Sequence, residues 1–212
     1  ASSQGDEICW EHSAPMPNVP VPDELREDVE VARELGGPKA DPRMSPMAKV
    51  DRPFHLRSVF ELGSEAWGED RFWNPTWIKF REAVSLPNAI DDPEEAAFRL
   101  QALSRCLIAY ASDMGLVSTA VLPHQSGTSR GDVQMASLDH SLWIHRSASL
   151  DQWLLFHKRT STAQGSRGMV HSEFFGENGT LVASKTQEGM QHKRRNASKT
   201  ANRQRINEEH KK

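Results

Sequence analysis

The chain has few cysteines: Cys9 and Cys106 are the only two among 212 residues, and they form no CxxC pair. Two thiols so far apart argue against a disulfide framework and against a zinc knuckle. The first twenty residues have neither the basic nor the apolar segment of a signal peptide, and no apolar run reaches the length of a transmembrane helix. We therefore expect an intracellular protein, cytoplasmic or peroxisomal, that does not insert into a membrane. The sequence ends in EHKK, however, and not in the peroxisomal tripeptide SKL.

Neither sign of charge dominates, since the formal net charge is −3. The charge is nevertheless unevenly spread. Residues 1–41 carry ten acidic and three basic side chains, whereas residues 190–212 carry eight basic and two acidic ones. The basic tail has no interleaved aromatic residues and the segment between is almost neutral. We therefore interpret the tail as a solvated, mobile segment and expect no nucleic-acid binding.

Proline is concentrated near the N-terminus, where APMPNVPVPDE excludes both a helix and a central strand. The composition predicts three parts. Residues 1–52 form a proline-rich acidic linker or arm, with a short helix in DELREDVEVARELGG. Residues 53–190 form the folded domain, and residues 191–212 form the basic tail.

One long helix is predicted in DDPEEAAFRLQALSRCLIAYASDMG. An aspartate caps it, Pro93 occupies its first position and two glutamates lie in its first turn. Apolar residues recur every three or four positions, which predicts a mostly buried helix whose core face comprises Ala96, Leu100, Leu103, Leu107, Tyr110 and Met114.

Strand patterns surround this helix. FHLRSVF and TWIKFREAV precede it, and the second alternates as a half-buried strand does, with Trp77 and Ile78 on opposite faces. Four further strands follow, in VQMASLDHSLWIHR, QWLLFHKR, GSRGMVHSEFFG and TLVASKTQEGM. This order predicts an α+β domain with an antiparallel sheet wrapped around one long helix.

The blocks YASDMGLVSTAVLPH, QMASLDHSLWIHR, WLLF, GSRGMVHSEFF and GTLVASKTQEGM, in this order and spacing, resemble the C-terminal half of the acyl-CoA thioesterase II family. The resemblance covers about residues 53–190. It implies the hotdog fold, of which that family carries two copies in one chain. It also implies that the first hotdog is missing here, so that the domain pairs with itself, pairs with another hotdog protein, or is a truncated product.

The resemblance further implies three site residues. They are Asp113 of YASD, Ser137 two positions before the aspartate of LDH, and Gln187 of TQEG. Together they would hold the water that attacks the thioester of a fatty acyl-CoA, with Asp113 as general base and no metal or organic cofactor. Backbone N–H groups would meet the oxyanion.

The residues themselves support this assignment unequally. Asp113 lies in the last turn of the predicted helix, where the helix dipole disfavours a carboxylate, and it shares a face with Ala102, Cys106 and Ala109. A solvated aspartate at a frayed helix end is the alternative. Ser137 and Gln187 would otherwise be ordinary strand residues, and Ser137 lies in no nucleophile elbow.

The stretch MASLDHSLWIHR also raises the possibility of a metal site. His140 and His145 are five residues apart, which places them on opposite faces of a strand and suits no one-turn helical site. We therefore expect no metal there. The resemblance instead makes this stretch the central strand of the sheet, with Trp143 lining the core or the acyl tunnel. A non-catalytic hotdog subunit that binds acyl-CoA or a partner remains the alternative function.

Overall fold

The computed structural model describes residues 10–34, 53–61, 71–86, 90–124 and 133–193. Its helices are α1 (Asp28–Glu34), α2 (Pro93–Ser112) and α3 (Leu116–Thr119), with short 3₁₀ turns at Pro22–Glu24 and Leu122–His124. Its strands are β1 (Phe54–Ser58), β2 (Trp73–Phe80), β3 (Val133–Ser137), β4 (Ser141–Ile144), β5 (Leu154–Gln164), β6 (Arg167–Gly176) and β7 (Leu181–Lys193).

The seven strands form one antiparallel sheet in the order β1-β2-β5-β6-β7-β3, and β4 also pairs with β7. The predicted α+β architecture is therefore confirmed. The boundaries of the three predicted parts remain a prediction. Strand β7 continues to Lys193, while the rest of the basic tail, residues 194–212, lies outside the described residues.

Helix α2 begins as the sequence predicts. The side chain of Asp92 accepts a hydrogen bond from the backbone N–H of Glu94 at 3.0 Å, and Pro93 occupies the first turn. Glu95 and Arg99 form an ion pair one turn apart, at 2.6 Å. The helix ends at Ser112, and Gly115, with φ of 70°, provides the left-handed residue that starts α3.

The buried face of α2 matches the predicted one only in part: Leu107 and Met114 are partly buried and pack against the core. The helix buries Ser104, Ile108 and Ala111 against the inner face of the sheet. Tyr110, assigned to the core by the apolar spacing, is 61% exposed, and Phe98 is 65% exposed. The expectation of a mostly buried helix is therefore wrong, because an apolar stripe this wide offers several faces and the sheet covers only one.

By length and composition alone, the stretch Pro93–His124 would be long and apolar enough to cross a membrane. This differs from the expectation that no such run exists. Ile108, Ala111, Leu116 and Ala120 of this stretch belong to the inner core of the domain, so packing against the sheet accounts for much of its apolar character. The core helix of a soluble domain has this composition too.

The outer face of the sheet is covered by the proline-rich segment. Trp77, Leu155 and Phe175 form an apolar cluster there, and Met16, Val19 and Leu25 pack against it. The indole Nε1 of Trp77 donates to the backbone oxygen of Pro20 at 2.9 Å. Strand β2 is consequently buried on both faces, where the alternating pattern predicts a half-buried strand.

The stretch MASLDHSLWIHR forms two short strands and not one. Both β3 and β4 pair with β7, and β3 lies at the edge of the described sheet, so the implied central position is wrong. The break has a local cause. The backbone N–H groups of Leu138 and Asp139 both point to the carbonyl oxygen of Glu188, while the Asp139 carboxylate accepts from the Glu188 N–H at 2.8 Å. A side chain thus replaces one link of the strand ladder.

Candidate active site

Three elements converge where α2 ends. Asp113 follows the last helical residue, and its backbone N–H still bonds to the preceding turn. Ser137 is the last residue of β3, opposite Gly189 of β7. Gln187 lies two residues earlier on β7, opposite Val170 of β6. The end of a helix, the end of one strand and an interior position of the neighbouring strand therefore meet at one point.

The three side chains contact one another directly. The Nε2 atom of Gln187 donates to Oδ1 of Asp113 at 3.0 Å and lies 2.5 Å from Oγ of Ser137. The hydroxyl of Ser137 also lies 3.5 Å from Oδ1 of Asp113, at the limit of a hydrogen bond. All three residues named from the sequence are thus brought together.

Their exposure differs in a way that suits a solvent-filled site. Asp113 and Ser137 are exposed, whereas Gln187 is only 1% exposed. The buried amide forms the floor of the site and the other two side chains form its rim. Among the residues that the structure describes, the Oε1 atom of Gln187 finds no hydrogen-bond partner. A water at the site would supply the missing donor.

Sequence reasoning missed Lys185 as a member of this region. Lys185 precedes Gln187 by two positions, so it shares the inner face of β7, and it is only 1% exposed. Its Nζ atom donates to the backbone oxygen of Ser112 at 2.6 Å. Burial lowers the pKa of this ammonium to about 8, and the neighbouring Asp113 carboxylate partly opposes that shift. No local signal in the sequence marks it, because the helix end that it contacts is 73 residues away along the chain.

His140 also contacts the end of this helix. Its Nε2 atom is 3.4 Å from Oγ of Ser112. Desolvation lowers the pKa of His140, the positive charge of Lys185 lowers it further, and the carboxylates of Asp113 and Asp139 oppose this. The imidazole is thus biased toward its neutral form.

The other histidine of this stretch is engaged elsewhere. Nε2 of His145 lies 2.9 Å from Oγ of Ser184. Within the described ranges, no group of three or more histidine, cysteine, aspartate or glutamate side chains is arranged to hold a metal ion. Trp143, which the resemblance places in the core or the acyl tunnel, is 53% exposed.

The sequence of this chain is similar to those of known acyl-CoA thioesterases. Residues 94–190 match the family model described as acyl-CoA thioesterase. Acyl-CoA thioesterase 2 of Haemophilus influenzae is 28% identical over 198 residues, covering 90% of this chain and 62% of that protein. Mouse acyl-coenzyme A thioesterase 8 is 42% identical over 85 residues, which are 40% of this chain and 26% of that protein. The chain is homologous to the acyl-CoA thioesterase II proteins.

Solved structures place this homologue in the hotdog fold. An acyl-CoA thioesterase II from Mycobacterium marinum superposes with a TM-score of 0.61 at 28% identity, covering 91% of this chain and 61% of that one. A hotdog-fold protein of Alicyclobacillus acidocaldarius superposes with a TM-score of 0.53 at 15% identity. The chain therefore spans about three fifths of the length of relatives that match most of it.

Proposed function

We propose that this chain hydrolyses fatty acyl-CoA to a free fatty acid and CoA. The observation that carries the proposal is the contact of one buried amide, that of Gln187, with both Asp113 and Ser137. These two partners are 74 and 50 residues away along the chain, so their meeting is a product of the fold. Homology to proteins named acyl-CoA thioesterases supports the substrate class.

In this proposal the three side chains act on one water molecule. Asp113 accepts a proton from the water as its oxygen attacks the thioester carbonyl carbon. Ser137 and Gln187 orient the water without taking its proton. The C–S bond then breaks, and the electron pair leaves with sulfur as the CoA thiolate. The reaction needs no metal and no organic cofactor in this scheme.

A purely structural role for Gln187 accounts less well for its contacts. Burying an amide is costly unless its polar atoms are paired. Its N–H groups are directed to the two rim residues, yet its Oε1 is left without a partner in the described part of the chain. An amide that only tied strands together would be expected to satisfy both ends, whereas one that holds a transient water would not.

We further propose that the domain pairs with a second hotdog unit, either another copy or a different hotdog protein. Strand β3 is an edge strand of the described sheet, and unpaired edges tend to find partners. Leu138 and Trp143, both 53% exposed, lie beside this edge. Light scattering on the purified chain is expected to report a dimer or larger assembly, whereas a stable, soluble monomer at micromolar concentration would contradict this pairing.

The activity is tested by release of free CoA from acyl-CoA of several chain lengths. The chain is assayed alone and mixed with a full-length relative. Hydrolysis by the chain alone supports the proposal. If the wild-type chain is inert at every chain length, the alternative of a non-catalytic subunit that binds acyl-CoA or a partner replaces it, and binding is then measured by calorimetry with a non-hydrolysable acyl-CoA thioether. Intracellular location, cytoplasmic or peroxisomal, remains a prediction.

A further inference from the structure

A buried ammonium lies directly beneath the end of helix α2. Lys185 is 1% exposed, and its Nζ atom donates to the carbonyl oxygen of Ser112 at 2.6 Å. The next residue along the chain is Asp113. The mechanism proposed above assigns no role to this lysine.

Placing a charge there is unfavourable in itself. Lys185 shares its strand face with Ala183 of the apolar inner core and is itself almost fully buried. An ammonium removed from water costs several kcal/mol unless opposite charge or acceptors offset the loss. At this position, the groups that can offset the cost of burying the ammonium lie at the end of the helix.

Negative charge accumulates at that helix end from two sources. The last four carbonyl groups of a helix lack partners within the helix, and together they form the negative pole of its dipole. Asp113 adds a full carboxylate immediately beyond them. The negative pole of the helix, by itself, disfavours the Asp113 carboxylate. A cation bound to the Ser112 carbonyl is attracted both to this pole and to the carboxylate, so it offsets their negative charge.

We propose that Lys185 is a positioning residue for the reaction at Asp113. It binds the last carbonyl of α2 to strand β7, and its positive charge offsets the helix pole beside the catalytic carboxylate. Because Lys185 and Gln187 project from the same face of β7, one strand then holds both the helix end and the amide that contacts Asp113. This inference rests on the proposed function.

Few other charges in the described part of the chain face this ammonium. Asp113 lies at the end of α2, and His140, next to Asp139, approaches from the link between β3 and β4. On β6 the cross-strand neighbour is Ser172, which brings only a hydroxyl. Beyond it on β5 lies Lys158, whose Nζ atom donates to Thr76 at 2.9 Å. Asp113 is the anion that raises the pKa of Lys185, so the two charges are coupled.

The lowered pKa of Lys185 predicts a pH dependence of the reaction rate. Lys185 carries its charge at neutral pH and loses it as the pH rises through about 8. If the charge supports the reaction, the rate falls on the alkaline side with a midpoint near that value. A lysine that only filled space or satisfied a carbonyl would produce no such alkaline limb in the pH–rate profile.

The first test compares rates of acyl-CoA hydrolysis between pH 6 and pH 10. Lys185→Gln keeps a donor for the Ser112 carbonyl but removes the charge, and we expect kcat to fall on the order of ten- to a hundred-fold. We expect KM to change little and the limb near pH 8 to disappear. Lys185→Arg keeps a charge that does not titrate in this range, so it should retain more activity than Lys185→Gln and also lose the limb.

Lys158→Met is the matched control, because it removes the other buried lysine of this sheet face, at a distance from Asp113. It is expected to retain the wild-type limb even if it lowers stability. Activity of Lys185→Gln within a few-fold of wild type, with the alkaline limb intact, would overturn the proposal. So would an identical loss in Lys158→Met.

The second test does not depend on activity. In protein labelled with ¹³C-lysine, the Cε resonance of Lys185 is followed by NMR during a pH titration. We expect the Asp113→Asn variant to titrate at a lower pH than wild type, since that carboxylate raises the pKa of Lys185. An unchanged midpoint would disprove the coupling. An inert wild-type enzyme would instead overturn the proposed function, and the titration would still decide whether the two charges interact.

Discussion

The amide nitrogen of Gln187 lies 3.0 Å from the carboxylate of Asp113, and the hydroxyl of Ser137 completes the group. This contact joins the C-terminal end of the long helix to the middle of strand β7. Because Gln187 is buried and Asp113 is exposed, the pair connects the interior of the domain to solvent.

Replacement of Asp113 by asparagine should abolish most of the activity while preserving the fold. Asparagine keeps the shape and the hydrogen bond from Gln187 through its carbonyl oxygen, but it is no base. Loss of a positioned general base costs on the order of a hundred- to ten-thousand-fold in rate. Steady-state hydrolysis of acyl-CoA measures the effect, with circular dichroism as the check on folding. A variant that hydrolyses within a few-fold of wild type would show that Asp113 is not the base.

Ser137→Ala and Gln187→Ala should each reduce the rate less than Asp113→Asn, because neither side chain takes the proton. Their effects should also fail to add, since both side chains orient one water and contact each other. The double variant Ser137→Ala with Gln187→Ala is therefore expected to lose less than the product of the two single losses. Strictly multiplicative losses would indicate two independent roles. Ser184→Ala, on the same strand but away from the site, serves as the control.

Lys185 should make the stability of the protein depend on pH in the alkaline range. Its pKa is about 8 in the folded state and 10.5 in its unperturbed state. Between these values the unfolded chain binds more protons, so the free energy of unfolding contributed by this group rises with pH. The full rise corresponds to about 3 kcal/mol.

Lys185→Met isolates this contribution, because methionine has similar length and no charge. Below about pH 8 the wild type bears the full cost of the buried charge and the variant does not, which favours the variant in the free energy of unfolding. This contribution to the difference between the two proteins falls to zero as the pH passes 10.5. Urea unfolding of both proteins at several pH values measures the difference. A difference that does not change with pH would mean that Lys185 titrates normally.

Gly189→Ala should destabilise the domain, because helix α3 packs directly on this glycine. A Cβ atom at position 189 would lie closer to the side chain of Val117 than real Cβ contacts allow, and valine is stiff. Overpacking of this kind costs typically about 1–3 kcal/mol. The double variant with Val117→Ala removes the clashing methyl groups, so thermal unfolding should show partial recovery. If the double variant is no more stable than Gly189→Ala, the clash is not the cause.

Much of the local structure of this protein could be predicted from the sequence. The cap and first turn of the long helix follow from Asp92 and Pro93, because capping chemistry acts over a few neighbouring residues. The strands follow from apolar alternation, which reports the two faces of a pleated segment. The candidate site residues came from matching motifs, and the structure places the three in mutual contact.

Only the tertiary structure decided which surfaces are covered. The apolar stripe of α2 has more than one face, and its contact with the sheet selected Ile108 and Ala111 while leaving Tyr110 exposed. The proline-rich segment buried the second face of β2, and the Asp139 carboxylate split one predicted strand into two. Lys185 became notable only when the fold placed it under the helix end, 73 residues from Ser112 along the chain. Periodicity reports which side of an element is apolar, but burial and charge coupling depend on residues distant in sequence, and their positions are set by the packing of the whole domain.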